Sequence, residues 1–182
     1  TVLFLGGVMF YLAGAEFRQL ILVVIAALVV GFIVVNFTTT GRDRWGTFLA
    51  GWTDAFKSSD HMQFVFQAIF RGELFGVGIG KGVTKFTGLP VPWTDSIYAV
   101  IIEETGLIGG LVVLGLYILI LWRGLQIAGR APDQLGKLLA AGITIWITFD
   151  ALLNMGVIAN VFPFAGNALP LISYGGSSMV ST

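Results

Sequence analysis

Charged side chains are absent from long stretches of this sequence, and these stretches are rich in hydrophobic residues. Residues 1–15, 19–41, 105–122 and 151–182 contain no Asp, Glu, Lys or Arg. The longer ones match the ~20 residues that a helix needs to cross a ~30 Å hydrocarbon core. A helix of a soluble protein would carry a polar face, which these segments lack. The pattern predicts the end of one transmembrane helix at 1–13, complete ones at 19–37, 97–122 and 138–157, and the start of another at 170.

Polar residues concentrate between the second and third predicted helices. Residues 38–95 hold more than half of all charged residues, interleaved with Trp and Phe. Charge mixed with aromatic rings is typical of the membrane–water interface, and long loops tend to be functional. The sequence therefore predicts an all-α polytopic membrane protein in three parts. These are 1–37 (the end of one transmembrane helix and a complete one), 38–95 (a large extracytoplasmic loop) and 96–182 (two complete transmembrane helices and the start of a third).

Basic residues indicate the orientation in the membrane. The segment 123–137 carries Arg123, Arg130 and Lys137 against the single acid Asp133. Because basic residues favour the cytoplasmic side, this segment is expected there. Alternation then places the 14–18 turn inside, and the 38–95 loop and the 159–168 turn outside.

Composition narrows the chemistry further. Of 182 residues, 56% are hydrophobic and 11% charged, with a net charge of zero and a mean hydropathy of +0.90. A soluble domain carries about 25% charged residues. The chain has no Cys and a single His, His61, which excludes disulfides and thiol catalysis and argues against His or Cys metal sites. Both ends lie in apolar sequence, so we expect a piece of a longer protein.

A glycine-rich run at 76–82 invites a comparison with nucleotide-binding motifs. A P-loop requires Ser or Thr after Gly-Lys, but Gly82 follows Lys81. The spacing of a dinucleotide-binding motif and the strand before it are also missing. We therefore reject nucleotide binding and expect a tightly bent backbone at the membrane surface.

One carboxylate lies where the large loop meets the third predicted helix. Thr94 or Asp95 could simply cap the helix that follows. The alternative is that Asp95, at an external membrane rim, faces a substrate headgroup. Sequence position alone leaves both interpretations open.

Three further acids fall inside predicted transmembrane helices, where ionisable groups are costly and face a cavity or a partner. Glu103 and Glu104 lie about two turns into the third helix, and either face an interior cavity or pair with loop residues such as Arg71 or Lys85. Asp150 lies in the middle of the fourth helix, where pairing across helices or neutralisation is expected.

Arg71, Lys81 and Lys85 form a basic cluster in the large loop. Such a cluster is usually a solvated or headgroup-binding face. It also suits a lipid substrate that carries a pyrophosphate, because Arg and Lys bind phosphate oxygens.

The same positions carry a family resemblance. It rests on ordered motifs spread over nearly the whole chain: Phe70-Arg71-Gly72-Glu73-Leu74-Phe75-Gly76-Val77-Gly78-Ile79-Gly80, Leu89-Pro90-x-x-x-Thr94-Asp95, Ala99-Val100-Ile101-x-Glu103-Glu104-x-Gly106-x-x-Gly109, Asn154-x-Gly156, and Leu169-Pro170-Leu171-Ile172-Ser173-Tyr174-Gly175-Gly176-Ser177-Ser178. In these motifs the chain resembles the SEDS family (FtsW, RodA and SpoVE), and the Arg71-Gly72-Glu73 version favours the cell-division branch.

The resemblance implies a fragment, roughly the C-terminal half, of a ten-helix fold in the bacterial inner (plasma) membrane. It implies a peptidoglycan glycosyltransferase that polymerises lipid II during cell division or shape maintenance, with a class B penicillin-binding protein and other division or elongation proteins as partners. The family's loop aspartate falls on Asp95, expected to act as the base or to bind a divalent ion, Mg or Mn. The expected substrate-binding residues are Arg71, Lys81, Lys85, Thr94, Glu103, Glu104, Ser173 and Tyr174.

Two other functions fit the same sequence. A lipid II flippase would use Glu103, Glu104 and Asp150 as a polar path through the membrane. A non-catalytic scaffold of the division machinery would need none of these carboxylates.

Overall fold

The computed structural model describes residues 2–53, 60–84, 95–163 and 166–174, and all regular secondary structure in these ranges is helical. The all-α prediction is therefore confirmed. The helices are α1 (Val2–Leu12), α2 (Phe17–Phe37), α3 (Thr39–Thr53), α4 (Asp60–Gly72), α5 (Ile97–Arg130) and α6 (Gln134–Ile158).

Two helices in the described part of the chain, α5 and α6, are long and apolar enough to cross a membrane. Ile21–Phe37 and Gly41–Leu49 form a pair bent by 90°, which makes a third span if the two helices count as one. Large apolar side chains on α2 and α5 lie exposed, among them Leu28, Phe32 and Val112. Apolar surface of this kind requires a lipid or protein cover. The chain is thus built as a membrane protein.

The polar segment predicted as a loop at 123–137 is mostly helical, so that boundary was wrong. Helix α5 continues to Arg130, and only residues 131–133 separate it from α6. Arg and Lys are good helix formers, so a helix can continue past the hydrocarbon edge into the headgroup region. Pro132 then stops α5, and the Asp133 carboxylate accepts a 2.9 Å hydrogen bond from the Gly136 amide as the cap of α6.

The large predicted loop contains two helices, α3 and α4, which the sequence analysis did not anticipate. Helix α4 is amphipathic: Met62, Val65 and Ala68 are buried at a spacing of three residues, whereas Phe70 and Arg71 are exposed. That spacing keeps the buried residues on one face of a helix. With 13 residues, α4 is too short to span a membrane, so a pattern of apolar runs of spanning length does not reveal it.

One compact unit consists of residues 1–43 and 118–149. In it the Phe4 and Phe149 rings stack with their centroids 4.0 Å apart. Gly124 lies against Thr144 so closely that an added Cβ would come within 2.1 Å of the Thr144 hydroxyl oxygen. A small residue here lets helices α5 and α6 approach each other, as is common between membrane helices.

The second compact unit consists of residues 44–117 and 150–182. Its core brings together α4, the start of α5 and the end of α6, with Val65, Ala99 and Ile158 almost fully buried. The Tyr117 hydroxyl donates a hydrogen bond to the Pro170 carbonyl, which ties the segment after α6 to α5. All functional residues discussed below lie in this unit.

The start of a fifth helix was predicted at residue 170. Residues 170–173 form a turn, in which the Leu169 carbonyl accepts hydrogen bonds from the Ile172 and Ser173 amides at 3.3 and 2.9 Å. The remainder of the predicted helix, 175–182, lies outside the described residues.

Candidate functional site

Helix α5 is interrupted at Gly106, which has φ 76° and ψ −178°. This backbone conformation is open essentially only to glycine. It removes the ordinary helical hydrogen bonds around the break, so backbone groups there need other partners. From Ile97 to Gly106 the axial rise is about 14 Å, so the break lies about two and a half turns into α5.

The partners come from residues 73–84, here called the glycine-rich loop. The Val77 and Gly78 amides each donate a 3.0 Å hydrogen bond, to the carbonyls of Glu103 and Glu104 respectively. In the opposite direction, the Leu107 amide donates to the Glu73 carbonyl at 2.9 Å. The loop thus completes the backbone hydrogen bonding of the broken helix, which a membrane-embedded segment must achieve within the protein.

Glycine is required where the two backbones touch. An added Cβ at Gly76 would lie 2.2 Å from the Glu104 carbonyl oxygen, and one at Gly106 would lie 2.2 Å from the Leu74 carbonyl oxygen. Gly72, at the end of α4, is equally close to the Ile102 carbonyl. The positive φ angles of Gly76, Gly78 and Gly80 agree with the bent backbone expected from the sequence, which packs here against a helix.

The two glutamates of α5 bind the far end of the same loop. Glu103 is fully buried, and its Oε1 accepts hydrogen bonds from the Thr84 hydroxyl at 2.7 Å, the Val83 amide at 3.1 Å and the Thr84 amide at 3.2 Å. Glu104 Oε2 accepts from the Gly80 amide at 2.9 Å. Both side chains therefore hold the loop, and the Glu103 side chain has no open path to solvent.

The two carboxylates also flank Gly82. An added Cβ there would lie 3.0 Å from Glu104 Oε1 and 3.1 Å from Glu103 Oε2. Glu103 Oε2 has no hydrogen-bond partner among the described residues. An unsatisfied buried acceptor costs about 1–3 kcal/mol, so the three bonds to Oε1 must outweigh that cost.

Replacing Glu103 by Ala is expected to release the end of the loop, because the Val83 amide and both donors of Thr84 lose their acceptor. A hydrogen bond typically contributes about 0.5–1.5 kcal/mol net, so we expect the loss of three of them to cost the full-length protein about 2–4 kcal/mol of stability. Thermal unfolding in detergent and hydrogen exchange of residues 77–84 would measure this. Glu16→Ala, at an exposed turn, is the control; unchanged exchange in Glu103→Ala would contradict the assignment.

Asp95 lies just before α5. The Ser96 carbonyl accepts hydrogen bonds from the amides of Ala99 and Val100 at 3.0 and 3.2 Å, so Ser96 occupies the N-cap position. Asp95 precedes it and is partly exposed. Among the described residues, no hydrogen bond to the Asp95 carboxylate is formed, and an added Cβ at Gly166 would lie 3.4 Å from Asp95 Oδ2.

A buried amide holds the backbone of Asp95. Asn154, 3% exposed in α6, donates from Nδ2 to the Asp95 carbonyl at 2.9 Å and to the Asn167 carbonyl at 2.5 Å. Both neighbours are carbonyl oxygens, so the amide nitrogen must face them and the orientation of the side chain is fixed. We call Asp95, Asn154, Gly166 and Asn167 the Asp95 junction.

The remaining predicted site residues are placed differently. Arg71 and Lys81 are exposed, and the Lys81 stem packs against Gly78. Ser173 is buried, and its hydroxyl accepts a 2.7 Å hydrogen bond from the Leu169 amide, whereas Tyr174 is 80% exposed. Lys85 and Thr94 lie outside the described residues.

Two residues of these arrangements were not predicted as site residues. Thr84 carries no sequence signal that distinguishes it from other polar loop residues. Asn154 could have been predicted as a site residue, since it has the one side-chain amide inside the predicted 138–157 span. Polar side chains at membrane depth usually bind a specific partner.

The described residues contain no group of three or more His, Asp or Glu side chains able to hold a metal ion. Asp95 still fits one mode of Mg²⁺ binding, in which one or two carboxylates act together with substrate phosphates instead of a protein cage. A partly exposed carboxylate without a hydrogen-bond partner in the described chain has the required donor chemistry.

Spanning helices, one of them broken and closed by a loop, define this chain as a polytopic α-helical membrane protein. It matches the family model of FtsW, RodA and SpoVE, described as "Cell cycle protein", over residues 1–182. The chain belongs to this family.

Similar proteins agree with the family match. Stage V sporulation protein E of Bacillus subtilis (strain 168) is 38% identical over 173 residues, covering 94% of this chain and 47% of that protein. A probable peptidoglycan glycosyltransferase FtsW of Thioalkalivibrio sulfidiphilus (strain HL-EbGR7) is 40% identical over 183 residues. The match covers 98% of this chain and 45% of that protein. The chain thus spans about half the length of the curated relatives it matches.

A solved structure is also similar. It is described as "Structural coordination of polymerization and crosslinking by a peptidoglycan synthase complex", and it matches with a TM-score of 0.70 and 29% identity. The match covers 100% of this chain and 51% of the solved chain.

Proposed function

We propose that the protein of which this chain is a part is a peptidoglycan glycosyltransferase that polymerises lipid II at the outer face of the bacterial inner membrane. The observation that carries the proposal is Asp95, a partly exposed carboxylate at the membrane-edge start of α5, whose backbone is fixed by Asn154. Relatives named as probable peptidoglycan glycosyltransferases support the assignment. The glycan strands made in this reaction would serve cell division or the maintenance of cell shape.

The reaction joins two lipid-linked sugars. A hydroxyl of one disaccharide attacks the anomeric carbon of another, and the bond to the lipid pyrophosphate breaks. The hydroxyl proton passes to the Asp95 carboxylate, which acts as general base, and the pyrophosphate leaves with the bonding electrons. The exposed cations Arg71 and Lys81 attract the negative charge of the leaving group.

A divalent ion could be bound at Asp95 during the reaction. Asp95 would hold it together with the substrate phosphates, where it supplies positive charge that offsets the pyrophosphate. In that arrangement Asp95 would serve as a ligand instead of a base, and Arg71 and Lys81 would keep their roles.

A flippase, which moves lipid II without forming or breaking bonds, is the other candidate function, and the burial of Glu103 favours it less. A polar translocation path needs carboxylates that can be reached from water. Glu103 is fully buried and occupied by Val83 and Thr84. Asp95, by contrast, is partly exposed, as a residue in contact with a headgroup should be.

A class B penicillin-binding protein is the proposed partner. The structural match to a chain of a peptidoglycan synthase complex that couples polymerization and crosslinking supports this choice. A polymerase and a crosslinking enzyme act on the same strand, so their association is chemically sensible.

The test uses the full-length protein, purified with its cognate class B partner and supplied with lipid II and Mg²⁺. We expect glycan strands on a gel, fewer of them in EDTA. A well-folded complex that forms no strands but moves lipid II across vesicles would overturn the proposal in favour of a flippase. Absence of both activities would leave only the scaffold.

A further inference from the structure

The Asp95 junction contains a residue whose placement suggests a role in the reaction without contact with the substrate. We propose that Asn154 is a positioning residue for Asp95, an inference that rests on the proposed glycosyltransferase function. In this role the Asn154 amide fixes the backbone of Asp95 relative to residues 166–167. The position and the orientation of the Asp95 carboxylate are thereby restricted.

The first reason is how the amide uses its donors. Both Nδ2 hydrogens are directed to backbone carbonyls, one from Asp95, which precedes the N-cap of α5, and one from the segment after α6. These carbonyls, of Asp95 and Asn167, are 72 positions apart in the sequence. A single side chain therefore joins two connections that would otherwise be held only by packing.

The second reason is burial. Asn154 is 3% exposed, and its Oδ1 has no hydrogen-bond partner among the described residues. A buried amide oxygen without a partner is unfavourable. A residue chosen only for helix stability at this position would be apolar, like its neighbours Leu153 and Met155 in α6. The two donor bonds are the contacts that an apolar residue could not make.

The third reason is the backbone that lies beside the Asp95 carboxylate. Gly166 has φ +52°, and its Cα faces Asp95 Oδ2. The Asn154 bond to Asn167 fixes the residue directly after this glycine. The amide therefore sets both the position of Asp95 and the position of the surface that its carboxylate faces.

Asn154→Asp tests this inference because it keeps the size of the side chain and replaces the two N–H donors by a carboxyl group, which can donate to at most one of the two carbonyls and turns an acceptor oxygen toward the other. Displacing a reacting group by about 1 Å can cost 10²-fold in rate. In the full-length protein with its partner, we expect kcat to fall about 30- to 100-fold with KM for lipid II changed less than about 3-fold. Asn154→Ser, which keeps one donor, is expected to lie between Asn154→Asp and the wild type.

Two controls separate positioning from folding. Asn36→Asp is the matched variant, since the Asn36 amide also donates to a backbone carbonyl, that of Phe32 at 2.9 Å, at an exposed site; we expect wild-type kcat. Hydrogen exchange in nanodiscs is expected to rise at residues 95–100 and 166–174 of Asn154→Asp, with residues 77–84 unchanged.

The outcomes are distinct. Wild-type kcat in a folded Asn154→Asp protein would overturn the positioning role and leave the glycosyltransferase in place. Exchange that rises throughout the second unit would also overturn it, because Asn154 would then be a general folding residue. An inactive wild-type complex would instead refute the proposed function itself.

Discussion

Asp95→Asn is expected to abolish glycan strand formation by the full-length protein with its partner. Asn has nearly the same volume and also accepts hydrogen bonds, but it cannot take the proton of the attacking hydroxyl. General base catalysis contributes about 10²–10⁴-fold, so the rate should fall by at least about 100-fold. The measurement is strand length and yield on a gel from lipid II.

This substitution also separates a chemical role of Asp95 from a structural one. Ser96, not Asp95, is the N-cap of α5, and Asn can replace Asp in structural hydrogen bonding, so a purely structural residue would tolerate the change. Asp133→Asn is the matched control, because Asp133 caps α6 through the Gly136 amide and is exposed. We expect both variants to keep the wild-type melting temperature and only Asp95→Asn to lose activity. Equal product from the two variants would return Asp95 to a structural role.

Gly106→Ala is expected to prevent the glycine-rich loop from binding α5. The new methyl group would lie 2.2 Å from the Leu74 carbonyl oxygen, well inside contact distance, and φ 76° with ψ −178° is a conformation that only glycine adopts readily. Backbone strain of this kind costs about 1–3 kcal/mol before the overlap is counted. We expect a loss of more than about 4 kcal/mol in total, a severe effect for a single substitution.

The control lies in the same helix. An added Cβ at Gly115 meets no other atom within 4 Å, so Gly115→Ala should be neutral or stabilise the helix by up to about 1 kcal/mol. Melting temperature and the yield of monodisperse protein in detergent would compare the two. A Gly106→Ala protein as stable as the Gly115→Ala protein would mean that the loop does not pack against the break in α5.

Hydrophobic patterning was enough to predict the helices that make this a membrane protein, and the motifs were enough to predict the family. Hydrophobic patterning could not predict where α5 ends. Arg123 and Arg130 are compatible with a helix, and the helix ends because of Pro132. The short helix α4 has a helical spacing of buried residues (Met62, Val65 and Ala68), but the charges and aromatic rings of this segment are equally typical of an interfacial loop.

The carboxylates were harder to interpret. For Glu103 the sequence suggested an open cavity or an ion pair, yet its bonds go to the Val83 amide and to Thr84. Every residue except proline has a backbone N–H, so no sequence pattern marks the ones that will act as donors. Asp95 could be located by resemblance, but its position beside Gly166 depends on the path of the segment after α6.

The break at Gly106 has a consequence for biosynthesis. Inserted into lipid by itself, the first part of α5 would present the carbonyls of Glu103 and Glu104 to hydrocarbon without donors. Their donors, in residues 77 and 78, precede α5 in the chain and leave the ribosome earlier. The order of translation therefore supplies the binding partner before the helix that needs it.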